Sequence, residues 1–362
     1  MDGRRFVGAL LALLLVAAGC AKAPEPTAIP SATATPSPTP SALSSQIEDY
    51  IADHGTAHDN IRSIRVQVEG TSRLEHYRHG VDANSHLHVF SVTKSVISIL
   101  IGIAIADGKI SGTDATLAEL LPDHRSSMTE VQRGITLEQL LTMSGGLADD
   151  EQLDRSTFED STATILKLPL QATPGREFVY SNVSAHLVST ILAEAVGESP
   201  LEYGRKVLFD PLGIDTEPAY VRPEPVPGNS AAFRAADFAW ATDADGVNNG
   251  CCLLKLTADD MVALGQLYLD QGRLDDRVLL PADWVTRSVA PSSTNEAYGL
   301  LWWLGDSNGS SFFAAVGAGG QVIVVMPERR AVVTVASEIN DQALEPDYVL
   351  DLIEDVIVPT LG

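Results

Sequence analysis

The chain has 362 residues, with 48 acidic side chains against 24 basic ones and a formal net charge of −24 at pH 7. That length can bury a sizeable core divided into two packed lobes, and that charge, spread along the chain, excludes nucleic acid as a partner. Three cysteines are too few for a disulfide-dense scaffold, and no Cys/His spacing marks a zinc site.

Arg4 and Arg5 precede an apolar run from Phe6 to Ala18, which ends in small residues before Cys20. This is the pattern of an export signal over residues 1–19, too short to span a bilayer. The stretch AAGC resembles the lipobox of bacterial lipoproteins, which implies a lipid on Cys20; a plain secretory signal is the other reading. From Ala21 to Ser45 the chain is almost entirely Pro, Ser, Thr and Ala, a composition that cannot bury a core. Residues 20–45 are therefore expected to tether a folded domain, residues 46–362, to the outer face of the cell membrane.

Residues 46–54 read as a helix with Ile47, Tyr50 and Ile51 on one face, and IRSIRVQVEG alternates as a half-buried strand does. A second strand is expected over 73–78. Val92 to Ala106 is apolar nearly all round, the mark of a central buried helix. Ser91 stands at its N-cap position, and Lys94 follows one turn later on the same face. A serine hydroxyl is a weak nucleophile that needs a base, and an amine serves where burial and the positive end of a helix disfavour the ammonium. SxxK by itself is a short pattern that also arises without chemistry.

ITLEQLLTMSGGL reads as a helix capped by Thr136 and stopped at Gly145-Gly146, and a further helix is expected over 158–168. Tyr180, Ser181 and Asn182 sit between a Pro-Gly turn and the next helix. A tyrosine hydroxyl near Lys94 can relay protons, and Asn182 can hold both Lys94 and a substrate carbonyl; a helix-capping Ser-Asn pair after a packed tyrosine is the plainer reading. Strands are expected over 300–304, 311–316, 322–326 and 331–336, with a closing helix over 341–357. The glycines Gly317, Gly319 and Gly320 let backbone approach a ligand or turn sharply.

Taken in order, Ser91-Val92-Thr93-Lys94, Tyr180-Ser181-Asn182 and the glycine-rich strand resemble the serine hydrolase superfamily of class C β-lactamases, D-Ala-D-Ala carboxypeptidases, family VIII esterases and 6-aminohexanoate-dimer hydrolases. The phrases HVFSVTKSVISILIGIAIADGKI, PGREFVYSNVSAHLV and LFDPLGI carry the resemblance from about Gln46 to the C-terminal helix. It implies an α+β fold: an antiparallel sheet flanked by helices, built from both ends of the folded chain, plus a mostly helical lobe between. It also implies that Ser91 is the acylated nucleophile, Lys94 its base and Tyr180 a proton shuttle that helps activate the deacylating water. The Ser91 and Ala318 N–H groups would form the oxyanion hole. Asn182, Gly317 and Gly319 would contact substrate, with no metal or organic cofactor.

The third motif departs from these relatives. Where they carry KTG or HTG, this chain has Ala315-Val316-Gly317, which offers a substrate carboxylate nothing. A neutral ester or amide is therefore the expected substrate. A β-lactamase or D-Ala-D-Ala carboxypeptidase or D-aminopeptidase, with an arginine supplied from another loop, is the enzymatic alternative, and a non-catalytic penicillin-recognition or sensor protein is the other. Met143 stands where relatives often have histidine. Cys251 and Cys252 are expected as packed free thiols, because adjacent Cα atoms lie only ~3.8 Å apart. His86 and His88 read as strand or loop residues rather than ligands, and Asp149, Asp150 and Glu151 as a solvated acidic loop. Of Trp302 and Trp303, one is expected in the core and one toward the cleft.

Overall fold

Helix α1 (Pro40–His54) opens the computed structural model, which describes residues 39–147, 161–223, 230–307, 309–339 and 345–361. Residues 1–38, which hold Cys20 and most of the expected signal and tether, lie outside the described residues, as do Asp149, Asp150 and Glu151. The helix starts six residues before the expected 46. Thr39 caps it by accepting from the Ala42 N–H at 3.4 Å, Pro40 occupies a first-turn position where its missing N–H does no harm, and Leu43 is buried. A compositional reading sees only the prolines and serines here and misses the single apolar anchor.

Two strands follow, β1 (Ile61–Val68) and β2 (Thr71–Tyr77), and four more come from the far end of the chain: β3 (Trp303–Ser307), β4 (Ser310–Gly317), β5 (Gln321–Met326) and β6 (Ala331–Ser337). They form one antiparallel sheet in the order β2-β1-β6-β5-β4-β3. The two ends of the chain meet where β1 pairs with β6, with Ser63 opposite Ala336 and Val66 opposite Val333. Helix α1 and the C-terminal α5 (Asp347–Leu352) cover one face through Leu43, Ile47, Val324, Val333 and Val349. The opposite face packs on α2 (Val92–Ala106) and α4 (Ala258–Leu269) through Ile97, Leu264, Ile323, Val325 and Val332. Every residue of β5 and β6 is buried, which is why VIVVM and AVVTVAS read as continuous apolar runs rather than alternations.

Helix α2 lies at the centre. Val92 to Ala104 are all buried, so its polar side chains must find partners inside. Ser95 and Ser98 donate to the Leu301 and Leu300 carbonyls at 2.7 Å each. Those bonds draw residues 300–301 onto the helix, and strand β3 accordingly begins at Trp303 rather than at the expected 300. Gly102 is required by packing, since a Cβ there would stand 2.4 Å from the Trp284 ring. Helix α3 (Asn182–Val196) packs against α2 from the helical lobe, where short helices such as Leu137–Leu141, with its Thr136 cap, also lie. The expected 158–168 helix is seen over Ser161–Ile165, its first residues lying outside the described ones. At the C-terminus helical turns run on from α5 to Thr360. The fold is thus the α+β sheet-and-helix architecture expected. Among the described residues no helix is long and apolar enough to cross a membrane.

Candidate active site

The turn that delivers Ser91 is held from three sides. Val89 donates its N–H to the Leu254 carbonyl at 2.9 Å, and Phe90 has φ = 47°, a left-handed conformation that non-glycine residues hold only when their surroundings fix it. The Phe90 ring stacks on His88 at 3.7 Å between centroids, and His88 in turn accepts the Leu253 N–H on Nε2 at 3.2 Å. His88 lies in the two-residue strand Leu87–His88, paired with Lys255 across the ladder. Neither it nor His86 belongs to a metal-binding cluster among the described residues.

Enclosure between Phe90 and Phe233 desolvates the His88 ring, and with the nearby charge of Lys255 this pushes its pKa down to about 3. As pH falls, the unfolded chain takes up this proton first, so the group's support for the fold is complete above about pH 6.5 and drains away toward pH 3, by at most about 1.4 kcal/mol per pH unit. Urea midpoints at pH 7 and pH 4 should fall further for the wild type than for His88→Gln; equal losses would contradict this account.

Ser91 occupies the N-cap position of α2, but its backbone is helical and its side chain caps nothing. The hydroxyl is left to Lys94, whose Nζ lies 2.9 Å from Ser91 Oγ. Two further contacts complete the lysine's surroundings: Asn182 Oδ1 at 2.7 Å and the Cys251 carbonyl at 3.1 Å. Lys94 is 1% exposed. The Tyr180 ring lies beneath it, 4.8 Å from Nζ to the centroid. What Tyr180 presents to the lysine is therefore its face, and among the described hydrogen bonds none joins its hydroxyl to Lys94 or Ser91.

Tyr180 is set by residue 143. The Met143 carbonyl accepts the Val179 N–H at 2.7 Å, and its Sδ accepts the Ser181 N–H at 3.4 Å. Beside Tyr180, Trp303 is half-buried and stacks at 5.9 Å, whereas Trp302 is fully buried against Tyr268 and Phe313. One tryptophan thus lines the site and the other fills the core. Burial, reinforced by Tyr180 nearby, holds the Tyr298 hydroxyl well above its ordinary pKa, so this ring adds an uncharged wall.

Strand β4 brings Gly317 directly onto the turn that carries Ser91. A Cβ at this residue would stand 2.4 Å from the Val89 carbonyl oxygen and 3.0 Å from the Ser91 nitrogen. The following turn, Ala318 to Gly320, has φ = 75° at Gly319 and 85° at Gly320, and Tyr348 of α5 donates its hydroxyl to the Gly319 carbonyl at 2.8 Å. Neither the Ser91 nor the Ala318 N–H takes a main-chain partner among the described residues. No arginine or lysine other than Lys94 is brought to these residues by the described hydrogen bonds.

One expectation is corrected. Cys251 and Cys252 are joined as a vicinal disulfide rather than packed as free thiols. Asn249 Oδ1 accepts from both cysteine N–H groups at 3.0 Å, folding the chain into a tight turn that brings the adjacent side chains together. The Cys251 carbonyl, the third partner of Lys94, is a main-chain group and left no trace in the sequence pattern.

A sheet covered by helices on both faces, with a serine and lysine paired at the head of its central helix, defines the β-lactamase/transpeptidase-like class. The family model described as Beta-lactamase matches residues 50–356, and the chain belongs to that family. Its fold is similar to that of a penicillin-binding protein homologue from Caulobacter crescentus, at 17% identity and TM-score 0.67, covering 90% of this chain and 99% of that one. It is also similar to a family VIII carboxylesterase, at 14% identity and TM-score 0.65 over 88% and 97% of the two chains. A D-stereospecific amidohydrolase from Streptomyces sp. matches at 16% identity and TM-score 0.64 over 88% and 99%.

Proposed function

We propose that this protein is a serine hydrolase that cleaves neutral carboxylic esters or amides through an acyl-enzyme on Ser91. The observation that carries the reading is the set of partners around Lys94. An amine has two hydrogens and one lone pair, and two of its three neighbours, Asn182 Oδ1 and the Cys251 carbonyl, can only accept. With Lys94 as the neutral amine, both hydrogens go to these two acceptors and the lone pair faces Ser91 Oγ, 2.9 Å away; as the ammonium it donates its third hydrogen there. As Ser91 Oγ bonds to the substrate carbonyl carbon, its proton passes to Lys94. The oxyanion is met by the Ser91 and Ala318 N–H groups beside Gly317. Collapse breaks the bond to the alcohol or amine, which leaves with that proton; water, activated with Tyr180, then releases the acid. Asn182 Nδ2 takes no partner among the described hydrogen bonds and is assigned to hold a substrate carbonyl.

Export and a lipid at Cys20 belong to the same proposal. They are supported by Arg4-Arg5, the apolar run and the AAGC stretch. Ala315 and Gly317 carry no charge toward the nucleophile, which supports a substrate without a carboxylate.

Labelling with a fluorophosphonate, followed by mapping of the adduct, should find Ser91; an adduct elsewhere overturns the reading. A matched pair of esters differing by one acyl-side carboxylate should show the neutral member turned over at least about 10-fold faster, the scale of one missing charged contact. Turnover of a cephalosporin or a D-Ala-D-Ala peptide at rates rivalling the neutral ester would favour a β-lactamase or peptidase, and a label that never hydrolyses would favour a sensor.

A further inference from the structure

One turn beyond Asn182 on helix α3, His186 is fully buried, and its ring bridges to the loop that carries Cys251. His186 Nδ1 lies 3.3 Å from the Gly250 nitrogen and Nε2 lies 3.1 Å from Asp243 Oδ2, both side chains having no exposure. The Gly250 N–H can only donate, so Nδ1 is the acceptor and Nε2 carries the ring hydrogen toward the carboxylate. The other Asp243 oxygen accepts the Val247 N–H at 2.8 Å. Ser189, further along the helix, donates to the Asn248 carbonyl at 2.7 Å. Gly250 lies so close to the helix that a Cβ would stand 2.3 Å from the Ala185 carbonyl. The loop is thus laid directly on α3, with Gly250 fixed by His186 and the next two N–H groups fixed by Asn249. Between those anchors the Cys251 carbonyl, which shares a peptide plane with the Cys252 N–H held by Asn249, points at Lys94 Nζ, 3.1 Å away.

We propose that the buried His186–Asp243 pair is a positioning element for Lys94: it holds the Cys251 carbonyl where that oxygen takes one of the lysine's hydrogens and leaves the lone pair aimed at Ser91. The proposal rests on the serine hydrolase reading above. Helix α3 then serves the lysine twice, directly through Asn182 and, one turn later, through His186 and the loop. Neither His186 nor Asp243 touches substrate or the reacting atoms. Their effect falls on the acylation step and leaves substrate binding alone.

The test compares the second-order rate of Ser91 labelling by a fluorophosphonate with the KM for a neutral ester and with thermal stability. His186→Leu, which removes both bonds, is expected to slow labelling about 10- to 100-fold, the scale of a misplaced catalytic group, with KM within about 3-fold of wild type. His186→Gln, whose amide can accept from Gly250 and donate to Asp243, is expected to recover most of the rate. A leucine variant that is less stable but labels at the wild-type rate overturns the proposal, because a purely structural pair would behave that way. If the leucine variant does not fold, Asp243→Asn decides: a labelling rate lowered at least about 5-fold supports the proposal and an unchanged rate overturns it. Wild-type labelling at Ser91 is scored first, so failure of the hydrolase reading is separated from failure of this one.

Discussion

Replacing either Ser91 by Ala or Lys94 by Met is expected to lower kcat/KM for a neutral ester by about 10³- to 10⁴-fold, and the double variant is expected to lose no more than the worse single one. The two side chains are 2.9 Å apart and act as one unit; once the base is gone the hydroxyl has nothing to take its proton. Stability separates the two variants. Ser91 caps no backbone group, so Ser91→Ala should unfold close to the wild-type midpoint. Lys94→Met strands the buried Cys251 carbonyl, which should cost about 1–3 kcal/mol if left unsatisfied, and frees the part-buried Asn182 Oδ1, which water can reach at smaller cost. Stopped ester assays and urea melts on the three variants check this. Additive losses, or a Ser91→Ala protein that retains ester hydrolysis, would remove the pair from the mechanism.

Gly317→Ala is expected to reduce kcat by about 10²- to 10³-fold, the range seen when an oxyanion donor is displaced, and to destabilise the fold by about 1–3 kcal/mol through overpacking. The added carbon would fall 2.4 Å from the Val89 carbonyl and 3.0 Å from the Ser91 nitrogen. The main chain there cannot yield freely, because Val89 is bonded to Leu254 on one side and to Val92 on the other. Gly134→Ala is the control, since a Cβ there meets nothing nearer than 3.6 Å. Steady-state kinetics on both variants decide the point, and equal, small effects would show that the contact between strand and nucleophile turn carries no catalytic geometry.

The parts of this site that were legible in the sequence are those whose chemistry resides in side chains or in periodicity. Ser91 and Lys94 announce themselves by spacing at the head of an apolar helix, and Gly317 by interrupting a strand. The β5 and β6 runs show sheet buried on both faces. What was hidden is main-chain or long-range. The Cys251 carbonyl belongs to no residue type, and the left-handed Phe90 is specified by its stacking on His88 and by the ladder to Leu254. The start of α1 was missed because one leucine among prolines and serines anchors it, and the Cys251–Cys252 bond because the Asn249 turn that gathers the two side chains is a product of the loop. The Tyr180 read as a proton relay lies against Lys94 with its ring face rather than its hydroxyl toward the amine, an orientation that spacing does not show.

Strand β1 pairs with β6, and the turn after Gly317 is clasped by Tyr348. Synthesis proceeds from the N-terminus, so Ser91 and Lys94 emerge long before the strand and helix that complete their surroundings. A growing chain carries Ser91 and Lys94 without the strand that closes on them, and it also carries β1 with an edge still waiting for its partner. The surroundings of Ser91 and Lys94 therefore wait on the segment from β3 to α5: before it is made, Gly317 cannot close on the Ser91 turn and Tyr348 cannot hold the turn that follows.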